Sequence, residues 1–162
     1  MKALIGVVGA GTMGAGIAQV AAQAGHSVVL TDTNPEQLQR AEQQIVKSLD
    51  KLVEKGKFTI EQAEAIKASL TYSTQLSDHS AASLVIEAIV EKLDIKHQLF
   101  VQLEQTVGPN CILASNTSSL SIASIGACLK DASRFLGIHF FNPATLMPLV
   151  EVIPGVATAS TL

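Results

Sequence analysis

Apolar positions in this chain alternate between short unbroken bursts and longer stretches of helical spacing. Residues 3–8 (ALIGVV) form the first burst, a glycine cluster follows, and Met13, Ile17, Val20 and Ala24 then recur at steps of four, three and four. The pattern predicts a strand, a tight turn and a helix. Gly25 supplies a helix stop, and Ser27–Thr31 (SVVLT), short and β-branched, predicts a second buried strand. The chain therefore opens on a βαβ unit. Asn34 and Pro35 fit the N-cap and first turn of a long helix, on which Leu38, Ala41, Ile45, Leu49 and Leu52 make one apolar stripe. Its polar side ends in Lys51, Lys55 and Lys57.

Thr59, with Gln62 three residues on, predicts a capped helix over TIEQAEAIKASL. Short strands are predicted at 70–74, 84–89 (LVIEAI), 111–115 (CILAS), 134–140 (RFLGIHF) and 149–153 (LVEVI). After the second of these, Ile95, Leu99, Leu103 and Val107 put a helix in register, stopped by Gly108 and Pro109. A loop holding Pro143 and Pro148 is long enough to reverse the chain before the last strand. This alternation predicts an α/β fold, a Rossmann-like doubly wound and mostly parallel sheet with helices on both faces. At 162 residues and 48% apolar content, one domain spanning 1–162 is expected.

Charge removes some functions. With 11 basic against 14 acidic side chains, no Trp and 4% aromatics, the chain lacks the means to track a nucleic-acid backbone. The opening apolar run is too short for a signal-peptide core, and no run of about 18 apolar residues occurs. A soluble, cytoplasmic protein with no membrane partner is expected. Cys111 and Cys128 lie in apolar segments without metal-ligand spacing, which favours buried free thiols over a disulfide.

The glycine cluster is Gly9-Ala10-Gly11-Thr12-Met13-Gly14, a GxGxxG between predicted strand and helix. In that setting Gly9 permits the sharp turn, Gly11 lets a pyrophosphate approach the backbone, and Gly14 lets helix and strand pack closely. Free amides at the helix start would face the phosphates. Asp32 closes the second strand, where a carboxylate can accept both ribose hydroxyls of adenosine and repel a 2′-phosphate, favouring NAD over NADP. The plainer alternative is a glycine turn needed only for packing.

His139 stands in the apolar run HFFNPATLMPLVE, with Glu151 at its end. Three readings compete: a satisfied core histidine, a metal ligand, or half of an acid/base pair. If the last two strands run antiparallel, His139 and Glu151 lie side by side. A neutral imidazole could then take a hydroxyl proton while the carboxylate fixes its tautomer. A metal site fits less well, because His26, His79 and His97 fall in helix ends or exposed segments and nothing repeats at ligand spacing. Between these regions, Ala114-Ser115-Asn116-Thr117-Ser118-Ser119-Leu120 puts hydroxyls and an amide at the carboxyl end of a strand, where open α/β sheets bind ligands. It could equally cap the next helix.

GAGTMGAGIAQ with Asp32, VIEAIVEKLDIK, ASNTSSLSI and HFFNPATLMPLVEVI resemble, in order and spacing, the NAD-binding domain of L-3-hydroxyacyl-CoA dehydrogenases. The bacterial 3-hydroxybutyryl-CoA and 3-hydroxyadipyl-CoA enzymes are among them. The resemblance covers nearly the whole chain. It implies oxidation of the 3-hydroxyl of an acyl-CoA to a ketone with reduction of NAD, as in fatty-acid β-oxidation. It further implies His139 as base with Glu151 as orienting partner, and Ser118 and Asn142 near the reacting oxygen. Cofactor contacts are implied for Gly9, Gly11, Thr12, Met13, Gly14, Asp32, Ala88, Glu91, Lys96, Asn116, Ser118 and Asn142, and coenzyme A contacts for Ser48, Lys55 and Ser118.

Two departures stand out. Pro148 occupies a position where relatives commonly carry lysine, and the family's helical domain, with its further asparagine and dimer contact, has no counterpart before Leu162. The expectation is a domain that binds NAD and turns over poorly alone, with a homodimer formed only through that helical domain. A dehydrogenase of free 3-hydroxy acids shares the glycine motif but would rely on a lysine base and leave His139 and Glu151 unexplained. A non-catalytic NAD-binding module, as in crystallin relatives, is the other alternative.

Overall fold

β1 (Leu4–Val8), α1 (Thr12–Gln23) and β2 (Ser27–Thr31) form the predicted βαβ unit in the computed structural model, which describes residues 2–162. Then come α2 (Pro35–Glu54), α3 (Ile60–Ala68), β3 (Leu70–Ser73), β4 (Leu84–Glu87) and α4 (Leu93–Thr106). The chain continues through β5 (Ile112–Ser115), α5 (Ile122–Gly126), β6 (Phe135–Phe140) and β7 (Val150–Pro154). The sheet order is β3-β2-β1-β4-β5-β6-β7. β1 to β6 are parallel and β7 returns antiparallel along β6. Strand order reverses between β1 and β4, which opens a crevice at their carboxyl ends.

Period-2 alternation along the strands feeds two cores. Val7, Leu30, Ile86 and Ala114 pack with Ile17, Ile45 and Leu49 of α1 and α2 on one face. Val8, Val85 and Leu113 pack with Phe100, Leu103 and Ile125 of α4 and α5 on the other. Each fully buried Leu or Ile contributes about 1.5–3 kcal/mol relative to exposure. The helix signals hold as well. Asn34 accepts from Glu36 N at 2.9 Å ahead of Pro35, and Thr59 and Gln62 form a reciprocal capping box. Gly25, just beyond α1, has φ 90°, a left-handed conformation that suits glycine.

The structure corrects two details. On α4 the core-facing residues are Lys96, Phe100 and Leu103, while Ile95 is 40% exposed. The predicted apolar stripe is rotated because Ile95 and Leu99 line the crevice and a buried ion pair takes the core side. His79, read as lying at a helix end or in an exposed segment, closes a single-turn 3-10 helix (Leu76–His79) but has no exposed surface. Cys111 and Cys128 are both free, the first buried and the second half-buried. No helix among the described residues is long and apolar enough to cross a membrane.

Candidate active site

Two glycines of the turn, Gly9 and Gly14, sit where contacts tolerate no side chain. Gly9 adopts φ 102° and donates to Thr31 O at 2.7 Å, joining the turn to the end of β2. A Cβ on Gly14 would lie 1.7 Å from Gly9 O, so only glycine lets α1 start this close to β1. A Cβ on Gly11 would meet nothing within 4 Å, which leaves open space where a pyrophosphate would approach. As N-cap of α1, Gly11 offers no side-chain acceptor, so the first amides of the helix keep their capacity for an anion. Thr12 is exposed at that end, and Met13 packs its side chain on the core.

Asp32 faces the same turn. Its Oδ2 accepts from Ala10 N at 2.8 Å and its Oδ1 from Asn34 N at 2.9 Å. Each oxygen keeps a lone pair for a further donor such as a ribose hydroxyl. A cleft of about 510 Å³ runs between Gly9, Gly11 and Asp32 on one side and Ala88, Ile95 and Leu99 on the other. Glycine cradle, acidic partner and apolar wall together fit a dinucleotide.

A buried network stands beside the cleft. Glu87, at the end of β4, is fully buried and accepts from Lys96 Nζ at 2.5 Å, Ser115 Oγ at 2.6 Å and Ile89 N at 2.7 Å. Lys96 also lies 3.1 Å from Glu91. Glu91 in turn accepts from the Thr117 hydroxyl, Ser118 N and Ser119 Oγ. Burial pushes the Glu91 carboxyl up, but hydrogen bonds from Thr117 and Lys96 outweigh it and hold the group at about 2. The chain from Glu87 through Lys96 to Glu91 thus fixes the loop that carries Ser118.

His139 and Glu151 are direct cross-strand partners in the β6–β7 ladder, with Nδ1 2.8 Å from Oε2. The ring also packs on Phe141, with centroids 4.6 Å apart. Among the described residues no protein group hydrogen-bonds to Nε2, which stays available to an outside donor. Asn116 couples this strand to its neighbour: its N donates to Glu87 O and its Oδ1 accepts from Phe140 N, both at 2.8 Å. The loop bearing Asn142 is seated on α1 through Ala144, whose Cβ lies 3.1 Å from where a Gly16 Cβ would stand. Asn142 itself is exposed.

Apart from Ser48 and Lys55, the residues singled out in the sequence gather at the carboxyl edge of the sheet, with differences in role. Lys96 is buried, so its ammonium acts on Glu87 and Glu91 rather than at the cleft surface. Ser48 and Lys55 lie apart on α2, where Ser48 accepts from Gln19 and Lys55 is the exposed C-cap. Sequence reasoning missed Glu87, Ser115 and Thr117 as members of the network. A carboxylate inside the apolar run LVIEAI was the available signal, since a buried charge demands a partner.

The family model for the 3-hydroxyacyl-CoA dehydrogenase NAD binding domain matches residues 4–162. A probable 3-hydroxybutyryl-CoA dehydrogenase of Deinococcus radiodurans is 50% identical over 95% of this chain and 55% of its own length. The 3-hydroxyadipyl-CoA dehydrogenase of Escherichia coli K12 is 47% identical over 96% of this chain and 33% of its own. The crystal structure of (S)-3-hydroxybutyryl-CoA dehydrogenase from Ralstonia eutropha superposes with a TM-score of 0.96 at 42% identity, covering 99% of this chain and 57% of that one. The chain therefore spans about a third to somewhat over half the length of these relatives. A match along the whole described fold, with the glycine cradle and its acidic partner in place, means that the chain belongs to the NAD-binding domains of the 3-hydroxyacyl-CoA dehydrogenase family.

Proposed function

We propose that residues 1–162 act as the NAD-binding domain of an enzyme that oxidises the 3-hydroxyl of an acyl-CoA to a ketone. The observation that carries this reading is the 2.8 Å contact between His139 Nδ1 and Glu151 Oε2 at the carboxyl end of a dinucleotide-binding sheet. NAD, when bound, supplies the two-electron acceptor that side chains lack.

The residues divide the remaining work. His139 Nε2 takes the hydroxyl proton, and Glu151 holds the opposite nitrogen and stabilises the imidazolium that forms. Ser118, presented by the loop that Glu91 fixes, has its hydroxyl free of protein partners among the described residues and donates to the substrate oxygen. Asn142 extends the polar lining from the loop seated on α1. Gly9, Gly11, Thr12, Met13 and Gly14 cradle the pyrophosphate, Asp32 takes the adenosine ribose, and Ala88 lines the cleft. The acyl-CoA assignment draws on the names of the relatives, and Lys55, exposed just past the end of α2, with Ser48 suits the phosphates of coenzyme A.

The test follows NADH oxidation by acetoacetyl-CoA, with NADH binding measured in parallel. His139→Ala should remove turnover and leave NADH bound. Loss of both would mark His139 as structural, and turnover undiminished in His139→Ala would overturn its reading as the base.

A further inference from the structure

His79 is a fully buried imidazole with one polar contact. Its Nε2 lies 2.7 Å from Thr31 Oγ1, while among the described residues Nδ1 is buried without a partner. The ring presses on β1, since a Cβ on Gly6 would stand 2.4 Å from Nδ1. An apolar side chain of similar volume could fill this space without a buried unpaired Nδ1, but it would strand the buried Thr31 hydroxyl. What imidazole adds is the hydrogen bond to Thr31.

That bond acts on a junction. Thr31 ends β2, and its carbonyl accepts from Gly9 N at 2.7 Å. The next residue is Asp32, whose carboxylate reaches back to Ala10 N at 2.8 Å. The 3-10 turn that carries His79 also carries Leu76, which lines the cleft together with Thr74. One side chain therefore clamps the strand end bearing Asp32 to the turn bearing part of the opposite wall.

We propose that His79 is a positioning residue for the adenosine half of the dinucleotide cleft, acting through its hydrogen bond to Thr31. This rests on the reading of that cleft as the NAD site. A pin at the Thr31–Asp32 junction governs the glycine turn and the ribose acceptor and touches neither His139 nor Ser118. It should act on adenosine binding and spare the nicotinamide end.

The experiment measures binding of NADH, AMP and nicotinamide mononucleotide to the 162-residue chain by titration calorimetry and ligand-observed NMR, with the melting temperature of each variant. His79→Leu keeps the volume and removes the bond, and Thr31→Val removes it from the other side. Each should weaken AMP and NADH by roughly tenfold. Nicotinamide mononucleotide, which shares only the phosphate cradle, should weaken far less than AMP, and Thr31→Ser should recover most of the AMP affinity lost in Thr31→Val. Lower melting temperatures with unchanged AMP affinity would make His79 merely structural and overturn the proposal. So would equal losses for AMP and nicotinamide mononucleotide. Failure of the parent chain to bind NADH would instead overturn the reading of the cleft.

Discussion

His139 and Glu151 are paired both by backbone and by side chain, as opposed residues of the β6–β7 ladder with Nδ1 2.8 Å from Oε2. The ladder sets the ring's position and the carboxylate sets its tautomer, leaving Nε2 for the proposed proton transfer. Glu151→Gln keeps the shape but cannot balance the imidazolium charge. Turnover should fall roughly 10- to 100-fold, and His139→Ala should cost about 10²–10⁴-fold, both with NADH affinity retained. Steady-state kinetics with acetoacetyl-CoA, set beside NADH titration, separates the two effects. A Glu151→Gln enzyme with unaltered kcat would reduce the carboxylate to a strand-pairing role.

Much of this arrangement is legible in the sequence because local rules dictate it. The spacing of Met13, Ile17, Val20 and Ala24 after an apolar run admits only a βαβ opening, and Pro143 and Pro148 mark the reversal that brings Glu151 back to His139. The hidden parts depend on tertiary burial. Lys96 lies on the side of α4 that packs inward, yet its neighbours Ile95 and Leu99 look like the better core residues until the cleft that they line is known. His79 sits in the polar stretch SDHSAAS, and nothing local reveals that the turn folds under the sheet against Gly6.

Asp32 ties down the glycine turn, its two oxygens accepting from Ala10 N and Asn34 N, and in the proposed reading it takes the ribose as well. Asp32→Asn removes the charge and turns an amide donor toward one of those backbone donors. NADH should bind about tenfold more weakly, and preference over NADPH should shrink because the repulsion of a 2′-phosphate is gone. Paired titrations with NADH and NADPH read both quantities. An undiminished preference would mean that shape, not charge, excludes the phosphate.

The Glu87–Lys96 pair is buried on both sides, at 0% and 1% side-chain exposure. Lys96→Met should destabilise the fold by about 3–5 kcal/mol, since it strands a carboxylate in the interior. The double variant Glu87→Gln with Lys96→Met should recover part of that loss because no unpaired charge remains. Urea denaturation of the parent, the single and the double variant forms the needed comparison. A double variant as unstable as Lys96→Met would mean that the hydrogen bonds to Ser115 and Ile89, not the charge, dominate at this site.

Acid should weaken the fold through His79. Burial lowers this imidazole from its ordinary 6.5 to about 4, against a small opposing effect of Asp78. Between those limits the unfolded chain binds a proton that the folded chain refuses, so stability rises with pH across the window. The stabilisation is intact above pH 6.5 and is lost as pH falls toward 4, by about 3 kcal/mol in all. His79→Leu has no such proton to exclude. Carboxylates titrate alike in both proteins, so the difference between their urea-derived stabilities isolates the histidine. From pH 7 to pH 4.5 the parent should lose about 2–3 kcal/mol more than the variant. Parallel losses would mean that His79 is protonated in the folded state, and that its bond to Thr31 survives with a charge on the ring.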